Sequence, residues 1–340
     1  MRNDLEVGWN QGIVIRNREN RFLFDPASKS AINKEDMIFI THSHADHSAG
    51  FTSPSIKYST EDSRRIFENI RNREVHNFKP VELNQELNFD NIEITPINAG
   101  HMLGSVQYMI QSPNSNILYT GDINCVNTLI TKKADEVECD ILVIEATYGQ
   151  PTYIFPKRET IYTNMIKWSL ERLKEDRIPV FRVYGSGKAQ ELIKIFNTYT
   201  NLTVLTHPRI SRVCEAYSER GLNLKNMDIS EAESDGVIND RSCIYVTLPS
   251  RNSENFENQV EAVATGWVLK EYFNSMVGFP LSGHADFKQL IQFVKRTKAR
   301  TVYVYTGFKT GFSNYLNKKL GISAKPIPAL PLKRLEDFLS

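Results

Sequence analysis

Thr41 to Gly50 reads THSHADHSAG, and His42, His44, Asp46 and His47 fall within six residues of it. The apolar run Met37-Ile38-Phe39-Ile40 stands just before it. A short apolar run between polar flanks predicts a buried strand. The cluster is then expected on the loop leaving that strand's carboxyl end. Alternate residues of an extended chain project to one side, so His42 and His44 can grip one ion. Asp46 and His47 follow at a different angle and suit a second ion nearby. Imidazole and carboxylate donors favour zinc, manganese or iron over calcium. A lone histidine is usually structural, but three with an aspartate at this spacing form a metal-ligating pattern.

The rest of the composition sets bounds. A chain of 340 residues holds two domains, or one with a large insertion. Hydrophobic content of 41% is ordinary for a globular protein. Lys plus Arg is 41 and Asp plus Glu is 40, so any nucleic-acid contact must rest on a local patch. Cys125, Cys139, Cys214 and Cys243 are far apart and form no CxxC pair, which predicts reduced thiols in an intracellular protein. No leader-like segment and no run of about 18 apolar residues is present, so no membrane span is expected.

Outward from the cluster, Gly12 to Ile15 and Arg21 to Phe24 flank the polar turn Asn17 to Asn20, a hairpin signal. Asp25 closes the second strand, where it is either a turn residue or a hydrogen-bond partner for a ligand histidine. Thr60 to Asn72 reads as a helix with Thr60 as N-cap, its arginines a solvated face. Ile92 to Ile97 is a strand, followed by NAGHMLGS, which sets His101 between Gly100 and Gly104. Val106 to Ile110 and Ile117 to Thr120 form a hairpin that ends in Gly121-Asp122. His101 and Asp122 can meet at the sheet's edge, and the two oxygens of Asp122 can bridge two ions. Ile141 to Ile144 is a buried strand ending in Glu145, a candidate acid or orienting group.

From about residue 150 the pattern becomes α/β: a helix over Glu159 to Lys174, a strand over Pro179 to Tyr184, then GSGKAQEL. Gly185 is too close to Lys188 for a P-loop, and Ala189 replaces its Ser or Thr. A strand, a glycine turn and a helix start remain, a geometry that can hold a phosphate. Strands over Leu202 to Leu205 and Cys243 to Leu248, with a helix between, complete a second, smaller α/β unit. LSGHADF at Leu281 to Phe287 brings His284. Residues 287 to 335 contain no acidic residue and interleave lysines and arginines with aromatics. Lys295, Arg296 and Lys298 lie in that stretch as candidate phosphate contacts, and its aromatics can stack on bases.

Together these motifs resemble the metallo-β-lactamase fold and its β-CASP nuclease branch. HxHxDH, His101 and Gly121-Asp122 match the general metal motifs. Glu145 in EATYG is similar to the branch's motif A, His284 in SGHAD to its motif B, and GSGKAQEL to a helix start in its inserted cassette. ATGWVLKEY at 264 to 272, close before LSGHADF, looks most like DNA-ligase-associated exonucleases, alongside mRNA 3′-end processing factors. The resemblance implies a four-layered αββα core from residues 1–149 and 281–340, with an α/β cassette at 150–280 as a lid. It implies His42, His44, His101 and Asp122 on one zinc, with Asp46, His47 and Asp122 on a weaker second ion for which manganese is an alternative. Asp46, His284 and Glu145 become the catalytic residues, His284 protonating the leaving oxygen of a phosphodiester. Asp25 would support the ligands, and Lys188 would join the nucleic-acid contacts.

One position departs from the pattern. In VYVYTGF, Thr306 stands where many members carry a motif C histidine, and Thr is a poor zinc ligand. A non-histidine residue there resembles Artemis-like, DNA-acting members. The reading expected is therefore a zinc-dependent DNA exonuclease acting on single-stranded or 5′ ends in DNA repair, with DNA ligase or helicase partners implied by the family. An RNA-processing nuclease is the alternative. A non-catalytic scaffold subunit is disfavoured by the intact cluster.

Overall fold

In the computed structural model, residues 5–330 are described, apart from 18, 35, 232, 233, 250–256, 272, 274 and 275. Tyr272 of the 264–272 stretch, and Lys333 and Arg334 of the basic stretch, lie outside the described residues.

Strands β1 (Glu6–Trp9), β2 (Ile13–Arg16), β3 (Arg21–Phe24), β4 (Met37–Phe39) and β5 (Lys57–Ser59) are followed by helix α1 (Glu61–Arg71) and β6 (Phe78–Pro80). They form one sheet in sequence order. Next come β7 (Leu87–Phe89), β8 (Ile92–Asn98), β9 (Val106–Ser112), β10 (Ser115–Tyr119) and β11 (Ile141–Ile144). A run of α2 (Arg158–Lys174), β12 (Ile178–Arg182), α3 (Lys188–Tyr199), β13 (Thr203–Thr206), α4 (Pro208–Glu219), β14 (Met227–Asp228), α5 (Ser234–Asn239), β15 (Cys243–Thr247), β16 (Gln259–Ala264) and β17 (Val277–Phe279) intervenes. The chain then closes with α6 (Phe287–Thr297), β18 (Thr301–Val304), α7 (Lys309–Leu320) and β19 (Ala324–Pro326).

The second sheet has the order β19-β18-β11-β10-β9-β8-β7. The chain leaves it after β11 and returns at β18, which lies parallel to β11 with Thr301 opposite Ile141. Phe22, Phe24 and Phe39 of the first sheet pack against Tyr108, Ile117 and Tyr119 of the second. β4 is apolar on both faces: Phe39 enters this sandwich while Ile38 packs under Phe51 and Phe67 of the α1 layer. That double burial is why its sequence runs apolar without alternation. On the far side, Leu290 and Phe293 of α6 and Phe312 and Leu316 of α7 cover the second sheet. The layers are thus helix, sheet, sheet, helix, the αββα arrangement expected.

The third sheet, β14-β13-β15-β12-β16-β17, is parallel throughout. Helices α2, α3 and α4 cover one face through Met165, Trp168, Leu192, Phe196 and Val213. Val237 and Ile238 of α5 pack on the other. Met102 and Ile66 join the helix-covered core, so the loop carrying His101 is anchored against this unit.

Strand direction places the chemistry. Asp25 follows β3, the histidine cluster β4, His101 β8, Asp122 β10, Glu145 β11 and Thr306 β18. β3 and β4 are parallel, as are β10, β11 and β18, and β8 shares their direction through two antiparallel steps across β9. All six carboxyl ends therefore open on one edge of the sandwich. The carboxyl end of β12, leading through Tyr184 to Lys188, faces the same space, as expected at the strand ends of an open parallel sheet.

Candidate metal centre

Each histidine of the cluster has one ring nitrogen held by an acceptor of the chain. His42 Nδ1 is 3.0 Å from Thr41 Oγ1, His47 Nδ1 2.7 Å from Asp25 Oδ2, His101 Nδ1 2.7 Å from the Gly283 carbonyl, and His44 Nε2 3.3 Å from the Ser186 carbonyl. Holding one nitrogen as a donor fixes the tautomer and leaves the other lone pair free. The freed nitrogens turn inward. His101 Nε2 is 3.2 Å from His44 Nδ1, and His42 Nε2 is 3.5 Å from Asp122 Oδ2. Two nitrogens bound to one tetrahedral zinc stand about 3.3 Å apart, so this spacing suits shared coordination. The donor atoms of His42, His44, His101 and Asp122 all lie within 4.8 Å of one another.

Two further observations test the fit of a divalent ion. His42 Nε2 is buried with no hydrogen-bond partner, which is costly for a polar atom that nothing else satisfies. Burial, reinforced by neighbouring imidazoles, holds the His42 and His101 pKa values well below the ordinary one, and that of His44 at about 4. These three are neutral donors at neutral pH, as ligation requires. The residues fit a metal.

The second half of the centre is thinner. His47 Nε2 lies 3.5 Å from Asp122 Oδ1 and 3.6 Å from Asp46 Oδ2. Asp122 thus turns one oxygen to each half. Burial lowers the His47 pKa, but Asp122 and Asp25 more than offset it and lift it to about 10. Asp46 is exposed. Thr306 supplies no nitrogen.

Asp25 is the hydrogen-bond partner of His47 rather than a plain turn residue. Its carboxylate accepts from His47 Nδ1, the Thr41 amide at 2.7 Å, the Thr41 hydroxyl at 2.6 Å and the Tyr119 hydroxyl at 2.8 Å. It holds φ +46°, a conformation that Asp tolerates better than most side chains.

His284 and Glu145, 139 residues apart in sequence, meet with His284 Nδ1 3.0 Å from Glu145 Oε1. Glu145 is fully buried and also accepts from the amides of Ile123 and Thr147. Burial lowers the His284 pKa, yet the Glu145 and Asp122 carboxylates outweigh it and raise the imidazole above its ordinary value. His284 Nδ1 is 3.9 Å from Asp122 Oδ2, so the pair borders the ligands.

A cavity of about 490 Å³ lies over these groups. It is lined by His44, His47, His101 and Asp122 and by Tyr148, Tyr184, Lys188 and Trp267. These aromatics come from the loop after β11, the turn after β12 and the turn after β16, and only their convergence sets them apart from core residues. Lys188 Nζ stands 4.4 Å from the Tyr184 ring centre, and burial lowers its pKa to about 8.

In the turn before α3, Lys188 N bonds to Ser186 O and Ala189 N to Tyr184 O, and the Lys188 side chain reaches the cavity. The basic stretch has another use as well. Arg296 pairs with Glu136 at 2.5 Å, and Lys298 pairs with Glu138. Lys295 is exposed on α6, and none of the three lines the cavity. Phe293 and Phe312, interleaved with them, are core. Tyr119 goes unmarked in the sequence, and Tyr305 stands there only as one of the aromatics of the basic stretch: Tyr305 donates to Asp122 Oδ1 at 3.2 Å, and the two rings touch edge to face.

Residues 8–173 match a family model described as "Beta-lactamase superfamily domain". The chain is 25% identical over 289 residues to a "Probable DNA ligase" of Opitutus terrae, covering 83% of this chain and 28% of the relative. It is 27% identical over 258 residues to an "RNase J-like protein" of Methanocaldococcus jannaschii, covering 62% of this chain and 60% of that one. It is 29% identical over 209 residues to "Cleavage and polyadenylation specificity factor subunit 3" of Dictyostelium discoideum, covering 52% and 26%. The chain therefore spans from about a quarter to three-fifths of the length of these relatives. A crystal structure of a protein of unknown function from Enterococcus faecalis V583 shares the fold, with TM-score 0.65 at 13% identity over 95% of this chain and 97% of that one. No helix among the described residues is long and apolar enough to cross a membrane, and the four cysteines are free thiols. On the matched model, the relatives and the geometry of the site, residues 8–173 form a β-lactamase superfamily domain, and the chain is consistent with the β-CASP nuclease branch that its motifs resemble.

Proposed function

We propose that the chain is a zinc-dependent phosphodiesterase that removes nucleotides from single-stranded ends of DNA. The observation that carries this reading is the set of inward-turned donor atoms beneath a cavity walled by aromatics and one lysine. Residues 150–280 act as a lid over that cavity.

His42, His44, His101 and Asp122 would hold a tight ion, and Asp46, His47 and Asp122 a weaker one. Such ions, when bound, lower the pKa of a ligand water to about 7 and draw charge from the phosphate. The chain's own residues do the rest. Lys188 holds the phosphate backbone, and Tyr184 and Trp267 stack on bases, contacts that read no sequence. Asp46 takes the proton from the attacking water as its oxygen bonds to phosphorus. His284, oriented by Glu145, gives a proton to the ester oxygen as the P–O bond breaks. General acids of this kind contribute about 10²–10⁴-fold.

DNA is favoured by Thr306 at motif C and by the relative named a probable DNA ligase, whose match covers 83% of this chain. The RNase J-like relative favours RNA processing as the second reading. End-labelled single- and double-stranded DNA and RNA, incubated with zinc or manganese and resolved by size, decide between them. The expected result is stepwise shortening of single-stranded DNA. RNA cleaved in clear preference would promote the second reading.

A further inference from the structure

Beside the cavity, on the other side of Thr306 and Gly307, lies a second groove of about 390 Å³. Trp9, Ala27, Tyr305 and Lys309 line it, and it shares Asp46, His47, Thr306 and Gly307 with the main cavity. The metal centre therefore opens two ways. We propose that this groove carries the continuing strand, the part of the nucleic acid that keeps the phosphate after cleavage, while the departing nucleotide sits in the main cavity. The inference rests on the nuclease reading above and extends it to a second binding surface.

Three features carry it. The proton donor fixes the direction. His284 lines the main cavity and not the groove, so the leaving oxygen, and the nucleotide attached to it, belong on the His284 side. The remainder of the strand must then pass over the metals towards Trp9.

The divide between the two spaces is low. Thr306 is half-buried with a short side chain, where a histidine would stand taller. Gly307 holds φ +68°, and a Cβ there would collide with the Ala146 carbonyl, so no side chain rises at that position.

The groove also offers what a strand needs. Trp9 is 36% exposed, while its backbone is pinned on both sides: its amide donates to Pro328 O, and its carbonyl accepts from Leu330 N. A fixed, open indole is a stacking platform for a base. Lys309 is exposed and forms no ion pair among the described residues, unlike Arg296 and Lys298, so its charge is available to a phosphate.

The test uses the full chain, unlabelled (dT)12 and the metal-free protein, with tryptophan fluorescence as the readout. Binding should quench the wild type, and Trp9→Phe should lose part of that quench. Lys309→Glu, an exposed change that spares the core, should weaken (dT)12 binding about tenfold. Lys309→Gln should flatten the slope of log affinity against log salt by about 0.7, the value for one phosphate contact on a single strand. With zinc or manganese added, Lys309→Glu should raise KM for (dT)12 with little change in kcat. If the wild type binds and cleaves (dT)12 while Lys309→Glu and Trp9→Phe leave quench, affinity and KM unchanged, the groove assignment is wrong and the nuclease reading stands. If the wild type neither binds nor cleaves any nucleic acid, both fall together.

Discussion

Tyr305 donates to Asp122 Oδ1, the oxygen that faces His47. That hydroxyl orients the one carboxylate common to both halves of the centre. With Thr306 beside it, the weaker site proposed above would have only Asp46, His47 and Asp122. Dialysed protein should therefore keep close to one ion per chain, and Tyr305→Phe should weaken the second ion about 10–100-fold, the usual effect of removing a partner of a metal ligand. Zinc titration by calorimetry reads both steps; loss of the tight step instead would show that Tyr305 supports the first site. Lys188 gives a pH signature. Its pKa lies near 8 because burial disfavours the charged form, so its cation is present below that pH and fades above it. Affinity for single-stranded DNA should fall as pH rises from 7 to 9 in the wild type. The fall should be much reduced in Lys188→Met, measured by fluorescence anisotropy with metal-free protein.

At the scale of elements, α6 starts three residues after His284. Asp286 caps it in a capping box: its side chain accepts from the Gln289 amide at 2.9 Å, while Gln289 Oε1 accepts from the Asp286 amide. The same carboxylate accepts from the Phe155 amide at 3.0 Å, tying the chain's return from the third sheet to the segment that led into it. Asp286→Ala should cost about 1–2 kcal/mol of stability, the upper part of the N-cap range, because a second amide loses its partner. Urea unfolding with and without zinc would measure it, and kcat should fall as His284 loses its fixed backbone. Elements of this kind were legible beforehand. Thr60 caps α1 by accepting from the Ser63 amide, as its position before a helical pattern predicts. The hairpin of β2 and β3 forms with Phe24 opposite Ile13, because the polar turn between two apolar runs leaves little choice of register.

At the scale of the molecule, the fold pairs part of the acid-free stretch from 287 to 335. Folding brings Glu136, Glu138 and Asp140 alongside Arg296, Lys298 and Arg300, so the positive charge at the end of α6 is paired. Reversing Arg296 or Lys298 to Glu should therefore change stability by no more than about 1 kcal/mol, as for exposed ion pairs. It should also weaken single-stranded DNA binding less than Lys188→Met does. Thermal melts and anisotropy on the same variants check this; a larger binding loss from Arg296→Glu would restore that face as a contact surface.

What the sequence determined by itself was whatever depends on neighbours along the chain. THSHADH crowds its ligands into six residues, so their chemistry and their place at a strand end follow from spacing and period. His101, Asp122, Glu145 and His284 each sit beside a glycine or a strand end, which marked them singly. Tertiary structure alone decided what lies between distant segments. The acceptors that fix the histidine tautomers are carbonyls of Ser186 and Gly283 and the carboxylate of Asp25, and a backbone carbonyl has no sequence signature. Tyr119, Tyr305, Tyr148 and Trp267 are aromatic residues like any in a core until the sheets bring them to the metal edge. The pairing of Arg296 and Lys298 was hidden for the same reason: whether a lysine is free depends on which carboxylate the fold sets opposite it, and ion pairs across the surface follow distance in space, not in sequence.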